Sequence, residues 1–403
     1  MRKFLLFWSV LLLGSIGVKG QELFAPEQII SSSFINESAR YIHATDINGD
    51  NHLDILATFK GEVVWYENNG NTQFGNPVQV TNSIVETNSE IAYGSDIDGD
   101  GDMDVLTASL GGVQWYKNDN GLGDFGIQNS IIGVKNISDV ACVDLDSDGD
   151  FDVIVKGEEV IVWCKNDGKG NFEEFLEIEN ASTSESFRKG LYVSDLDKDG
   201  DVDFIASLDE SIGWYENDGQ GNFTKKVIST NDGNIRAIYG SDVDNDGDID
   251  IFCGFSHPTL FVWYENDGVA NFNEEHFISS SSTNSNYSNS LYSTDLDNDN
   301  DMDVVSALGF SNKLVWYENG GYGNFSGENI ISIDTEKIVF VCGYDIDKDG
   351  DMDVFSVSYK DSKIAWYENI LDETEIRMLA FQDLNENGIY EDSEPLIRYL
   401  LIN

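Results

Sequence analysis

Positive charge and histidine are scarce in this 403-residue chain: 23 lysines and arginines face 74 aspartates and glutamates, and there are four histidines. So negative a surface repels phosphate backbones, which argues against a nucleic-acid partner. The histidines (His43, His52, His257 and His276) complete no His-Glu-x-x-His pattern, and there is no Cys-x-x-Cys or nucleophile elbow. Catalysis therefore finds little support. Long stretches of helical periodicity are missing, and no segment beyond residue 20 is apolar enough to span a bilayer, so membrane insertion is not expected. The four cysteines each fall in register with a core position of the repeat described below. Cys164 replaces a tyrosine present in the other six repeats, and Cys342 replaces one present in four. Cys253 aligns with the mostly small Ala57, Thr107 and Ala206, and Cys142 with Ala44 and Gly94. Cysteines in such places fill core, so disulfides are not expected.

The one strongly apolar run, Phe4 to Leu13, follows Met1-Arg2-Lys3 and precedes the small and polar Val18-Lys19-Gly20. That is the shape of a secretory signal over residues 1–20, with cleavage expected before Gln21, and it implies a secreted or cell-surface location.

What the chain has in abundance is aspartate, and 33 of its aspartates lie in seven nonapeptides spaced about fifty residues apart. One copy places acids at Asp96, Asp98, Asp100, Asp102 and Asp104, and the next at Asp144, Asp146, Asp148, Asp150 and Asp152. Others hold Asp195, Asp197, Asp199, Asp201 and Asp203, and then Asp242, Asp244, Asp246, Asp248 and Asp250. The last two hold Asp295, Asp297, Asp299, Asp301 and Asp303, and Asp345, Asp347, Asp349, Asp351 and Asp353. The first copy is Asp46, Asn48, Asp50, His52 and Asp54. Carboxylates at positions 1, 3, 5 and 9 around a tight turn make an oxygen cage for a hard cation, and repel one another without it. Calcium suits such a cage better than magnesium, which demands an octahedron and keeps its waters. Position 6 is glycine in five copies and asparagine in two (Asn51, Asn300), the residue types that accept a left-handed turn.

Each acidic loop is followed by a Trp-Tyr element such as Val64-Trp65-Tyr66-Glu67-Asn68, then a turn such as Asn217-Asp218-Gly219-Gln220-Gly221-Asn222-Phe223. Short runs rich in Val, Ile, Phe, Tyr and Trp fill the intervals. Each repeat reads as strand A, acidic loop, strand B, short turn, strand C with Trp-Tyr, Gly-Asn turn, strand D. Adjacent Trp and Tyr point to opposite faces of their strand, so both faces of each sheet must be covered. Seven such units fit an all-β, seven-bladed β-propeller. The repeats lie near residues 38–82, 88–132, 137–180, 187–231, 234–280, 288–334 and 337–370. The seventh lacks a strand D, whereas Phe24 to Ser31 closely matches the D strand Phe325 to Ser332 of the sixth. The N-terminal strand, residues 22–32, is therefore expected to complete the last blade and leave no open edge.

Asp-x-Asp-x-Asp-Gly-Asp-x-Asp at this period resembles the FG-GAP and VCBS repeats, as in the seven-bladed propeller of integrin alpha subunits, here of a secreted bacterial type. The resemblance covers residues 22–370. It implies one calcium per loop, up to seven, with side chains at positions 1, 3, 5 and 9 and the main-chain carbonyl at position 7 as ligands. The first repeat departs from the pattern at Asn48 and His52. Asparagine still offers an oxygen, so that site is expected to be weaker yet occupied. Residues 371–403 are not an eighth blade. Asp383, Asn385, Asn387 and Glu394 fit an EF-hand loop template, but Pro395 follows directly and the preceding residues carry little helical signal. The segment more closely resembles the opening of calcium-bearing β-sandwich repeats, and reads as a linker or the start of a further domain with one more calcium.

The resulting expectation is a monomeric propeller within a larger chain, acting as a non-catalytic adhesion or ligand-binding module for carbohydrate or extracellular protein. A structural spacer, or a calcium-dependent polysaccharide-active enzyme, are the alternatives. The acidic loops and Gly-Asn turns lie on one rim, the B–C and D–A connections on the other. Two extra residues lengthen the B–C turns of the last three repeats, where Phe255, His257, Phe310 and Tyr359 are the candidate ligand contacts.

Overall fold

The computed structural model describes residues 23–31, 38–70, 72–81, 89–109, 111–180, 190–208, 211–230, 235–256, 259–281 and 288–370. Residues 1–20, where a secretory signal is expected, and the tail with Asp383, Asn385, Asn387 and Glu394 lie outside the described residues, as does His257. Among the described residues all the regular structure is β, in seven four-stranded antiparallel sheets. In the second blade, strand A is Ser89–Ser95, B is Asp104–Ser109, C is Gly112–Asn118 and D is Phe125–Ile132, paired in that order. The acidic loop joins A to B. Among the described residues no helix is long and apolar enough to cross a membrane.

Strand B is buried along its whole length in every blade, because neighbouring blades cover both of its faces. That explains runs such as Asp-Val-Leu-Thr-Ala-Ser, which are nearly continuous instead of alternating. Trp65 and Tyr66 are both buried, one on each face, as the adjacent pair requires. The core is accordingly a ring of layers between blades. Ile97, Leu106 and Trp115 pack with Val140, Val153 and Val155 between the second and third blades. Ile42, Ile55 and Phe59 pack with Phe355, Ile364 and Trp366 between the first and seventh.

The ring closes as the N-terminal match predicts. Gln28–Ser31 pairs antiparallel with strand C of the seventh blade, Gln28 opposite Trp366 and Ile29 opposite Ala365. Glu27 fixes this strand: its Oε1 accepts hydrogen bonds from Lys363 Nζ and Tyr367 Oη, each at 2.7 Å. All four cysteines are free thiols, and Cys164, Cys253 and Cys342 are buried. The innermost A strands bring rings together around the axis, with Tyr192–Tyr239 centroids 5.6 Å apart and Tyr239–Tyr292 5.4 Å. His43 joins this aromatic lining, and burial lowers its pKa to about 4.

Candidate metal centres on one rim

In the second blade Asp96 at position 1 accepts the N–H groups of Asp100 (3.1 Å) and Gly101 (3.0 Å), curling the loop over its own carboxylate. Asp100 in turn accepts the N–H of Asp102 at 3.1 Å. Asp104 at position 9 ends the loop, receiving Ile97 N–H on one oxygen (3.1 Å) and Asn118 N–H on the other (2.8 Å). Position 6 is left-handed throughout, including Asn51 (φ 67°) and Asn300 (φ 71°), as its residue types require. The neighbouring C–D turn shares this rim. A Cβ on Gly121 (φ +64°) would meet Asp102 Oδ1 at 2.3 Å, so the turn can approach the loop this closely only as glycine.

Position 9 is fully buried in all seven copies: Asp54, Asp104, Asp152, Asp203, Asp250, Asp303 and Asp353. Burial pushes these carboxyls up against the pull of their backbone N–H partners. The values reach about 6 for Asp104, Asp152 and Asp203, about 7 for Asp54, Asp250 and Asp353, and about 8 for Asp303. Asp197, Asp244 and Asp347 at position 3 are also raised, first by burial and then by neighbouring carboxylates, and Asp297 is raised to about 6. A cage that disfavours its own charge is one a dication stabilises.

The donor set fits such an ion. Asp96, Asp98 and Asp104 bring one oxygen each within 4.8 Å of one another, as do Asp144, Asp146 and Asp152, Asp195, Asp197 and Asp199, and Asp242, Asp244 and Asp246. Oδ1 of Asp98, Asp146, Asp195, Asp242, Asp297 and Asp345 is buried with no hydrogen-bond partner. Buried oxygens left unpaired in this way are costly, and a hard cation supplies what they lack.

An FG-GAP-like repeat model matches residues 96–155, 195–253, 242–306 and 295–356, more than half of the chain. The chain belongs to the FG-GAP-like repeat family. No curated protein sequence matches it significantly. Among solved structures, an Agrocybe aegerita lectin, described for recognition of non-reducing terminal N-acetylglucosamine, overlaps with a TM-score of 0.57 at 18% identity, covering 74% of this chain and 81% of that one. BBS1N, solved in complex with ARL6DN, overlaps with a TM-score of 0.59 at 9% identity, covering 86% and 96%. At such identities these likenesses show the propeller fold alone.

The FG-GAP geometry also contains residues to which the sequence reading assigned no role. The asparagine closing each Trp-Tyr element is buried and spans two blades. Asn118 Nδ2 donates to Met103 O in its own blade (3.1 Å) and to Ile47 O of the preceding blade (2.9 Å). The same link recurs at Asn68, Asn166, Asn217, Asn266, Asn319 and Asn369, and that of Asn68 to Ile346 O crosses the closing seam. Position 4 is left-handed too, and its side chains reach the next loop: Asn245 Nδ2 donates to Asp301 Oδ1 (2.5 Å) and Asn298 Nδ2 to Asp351 Oδ1 (2.6 Å). Its identity as Gly49, Gly99, Asn245 or Asn298 was the available signal in four copies, whereas Ser147, Lys198 and Lys348 are left-handed without it.

The opposite rim requires one correction. Phe255 is not a surface contact: it lies fully buried at the end of strand Asp250–Ser256, packed with Ile235 and Leu260. Phe310 is 65% exposed. Tyr359 sits between cations, Arg40 at 4.7 Å and Lys337 at 4.4 Å from its ring centroid.

Proposed function

We propose that this propeller is a calcium-dependent, secreted binding module that acts without catalysis. The observation that carries the reading is the buried position-9 carboxylate in all seven acidic loops, together with the orphaned oxygens in six of them, which need a hard cation. The position-1, 3, 5 and 9 side chains would hold it, and calcium would supply charge neutralisation that lets each hairpin close. Metal binding then becomes folding free energy. Extracellular calcium is roughly millimolar, enough to fill sites with dissociation constants near 10⁻⁴ M. The ligand, carbohydrate or extracellular protein, would meet the rim of B–C and D–A connections, where Phe310 and Tyr359 lie. The lectin structure is described with a sugar and the BBS1N structure with a protein partner, which does not choose between the two here.

The test joins both halves of the reading. Thermal unfolding is followed with excess chelator and with millimolar calcium at physiological salt, and the calcium-loaded protein is applied to a glycan array that includes terminal N-acetylglucosamine. A large chelator-induced fall in Tm, and glycan binding that chelator abolishes, is the expected outcome. Melting unchanged by chelator would refute the calcium reading.

A further inference from the structure

The residue after the tyrosine of each Trp-Tyr element divides the blades into two kinds. It is glutamate in five of them (Glu67, Glu216, Glu265, Glu318 and Glu368) and lysine in the second and third (Lys117 and Lys165). In the second and third blades the fold places this side chain over positions 3 and 5 of the acidic loop. Lys117 Nζ donates to Asp98 and, at 2.6 Å, to Asp100. Lys165 Nζ pairs with Asp146 and, at 3.2 Å, with Asp148. In the first blade the same slot gives Glu67 Oε1, 3.4 Å from Asn48 Nδ2 at position 3. Two loops thus have an ammonium on Oδ2 of their position-3 and position-5 carboxylates, whereas Glu216, Glu265 and Glu318 add their negative charge beside Asp197, Asp244 and Asp297 at position 3, and Glu368 accepts from Gln28 Nε2 at 3.2 Å.

We propose that Lys117 and Lys165 are built-in counter-cations that make the second and third loops weak calcium sites, ordered without metal, while the loops of the last four blades, which have glutamate there and the full set of aspartates, bind calcium tightly. The inference rests on the loops binding calcium at all. Its physical basis is competition. A dication entering the second loop must expel the ammonium from Asp98 and Asp100 or sit beside it, and either course opposes binding. Affinity in oxygen cages follows the charge of the ligand set, so exchanging glutamate for lysine at one slot lowers it. The first loop, weakened by Asn48 and His52, has no lysine at this slot; its Asp50 at position 5 instead faces His52 Nδ1 at 3.2 Å. The blades would then share the work: the second and third hold their shape at any calcium level, and the last four respond to it.

Peptide-resolved hydrogen exchange on the whole chain, across a calcium titration from chelator to millimolar, tests this loop by loop. In chelator, residues 96–104 and 144–152 should be the better protected loops. Their calcium midpoints should lie at least roughly ten-fold above those of residues 195–203, 242–250, 295–303 and 345–353. The double substitution Lys117→Glu and Lys165→Glu should bring them level with the others and remove their protection in chelator. Lys117→Met with Lys165→Met, which adds no charge, should lower the midpoints part-way and carries the test where the glutamate pair does not fold. Equal midpoints across all loops in the parent, or midpoints that neither pair moves, would overturn the inference. A protein in which no loop responds to calcium would overturn the calcium reading itself.

Discussion

Asn217 offers a direct measure of what holds one blade to the next. It is 1% exposed; its Nδ2 donates to Val202 O in its own blade (3.0 Å) and to Leu145 O in the third (2.7 Å), and its Oδ1 accepts the N–H of Gly219 (3.2 Å). Asn217→Ala deletes all three bonds while leaving the backbone bond from Asn217 N–H to Asp203 in place. The Gly219 N–H lies at the rim, within reach of water, but the two carbonyls remain in the blade interface. A buried group left unpaired costs about 1–3 kcal/mol, so the two together should cost about 2–6 kcal/mol. Expressed as local opening, that is a loss of amide protection of roughly 30-fold or more, confined to the third and fourth blades. Hydrogen exchange in saturating calcium separates this from any effect on metal affinity. Asn217→Asp, with nearly the same shape but an anion facing two carbonyls, should lose at least as much. Refutation would be an aspartate variant with parental exchange, because the donor would then not matter. Loss spread evenly over all seven blades would refute the local character of the link.

Four further outcomes follow from the same geometry. Glu27→Ala removes the carboxylate that meets Lys363, whose side chain is 9% exposed, and should cost about 1–3 kcal/mol in urea unfolding; an unchanged midpoint would mean the closing strand is held by its backbone pairing alone. In chelator, stability should fall as pH rises. The position-9 carboxyls have folded pKa values of about 6 to about 8, above the roughly 3.9 of an unfolded aspartate, so the folded state binds more protons in between. The urea midpoint should thus be higher near pH 5.5 than near pH 8, and the reverse order would contradict the burial argument. With calcium present, protons compete for the cage, and its affinity should weaken on acidification. On the opposite rim, Phe310→Ala should weaken binding of any glycan or protein ligand found for the parent by about 1–3 kcal/mol with little change in Tm; equal losses of both would make it a packing residue.

The limits of the sequence reading are as physical as its successes. The acidic loop and the Trp-Tyr pair were legible because their chemistry is local: nine residues contain the cage, and two adjacent aromatics define two covered faces. Closure was legible because the N-terminal segment repeats a D strand in letters. The blade-to-blade asparagine was visible as a recurring residue, but its role depends on a carbonyl 72 residues away in the case of Asn217, which no local pattern encodes. Phe255 was misplaced because strand B of the fifth blade runs to Ser256, which puts the phenylalanine within the buried strand and leaves the turn to begin after it. Lys117 and Lys165 were the subtlest case. Their departure from glutamate is plain in the alignment of repeats, yet it gains meaning only when strand C is laid beside the acidic loop. Near-identity among repeats establishes a shared fold; it does not make the seven sites equivalent, because a single changed side chain beside a charge cage alters its affinity without altering its backbone.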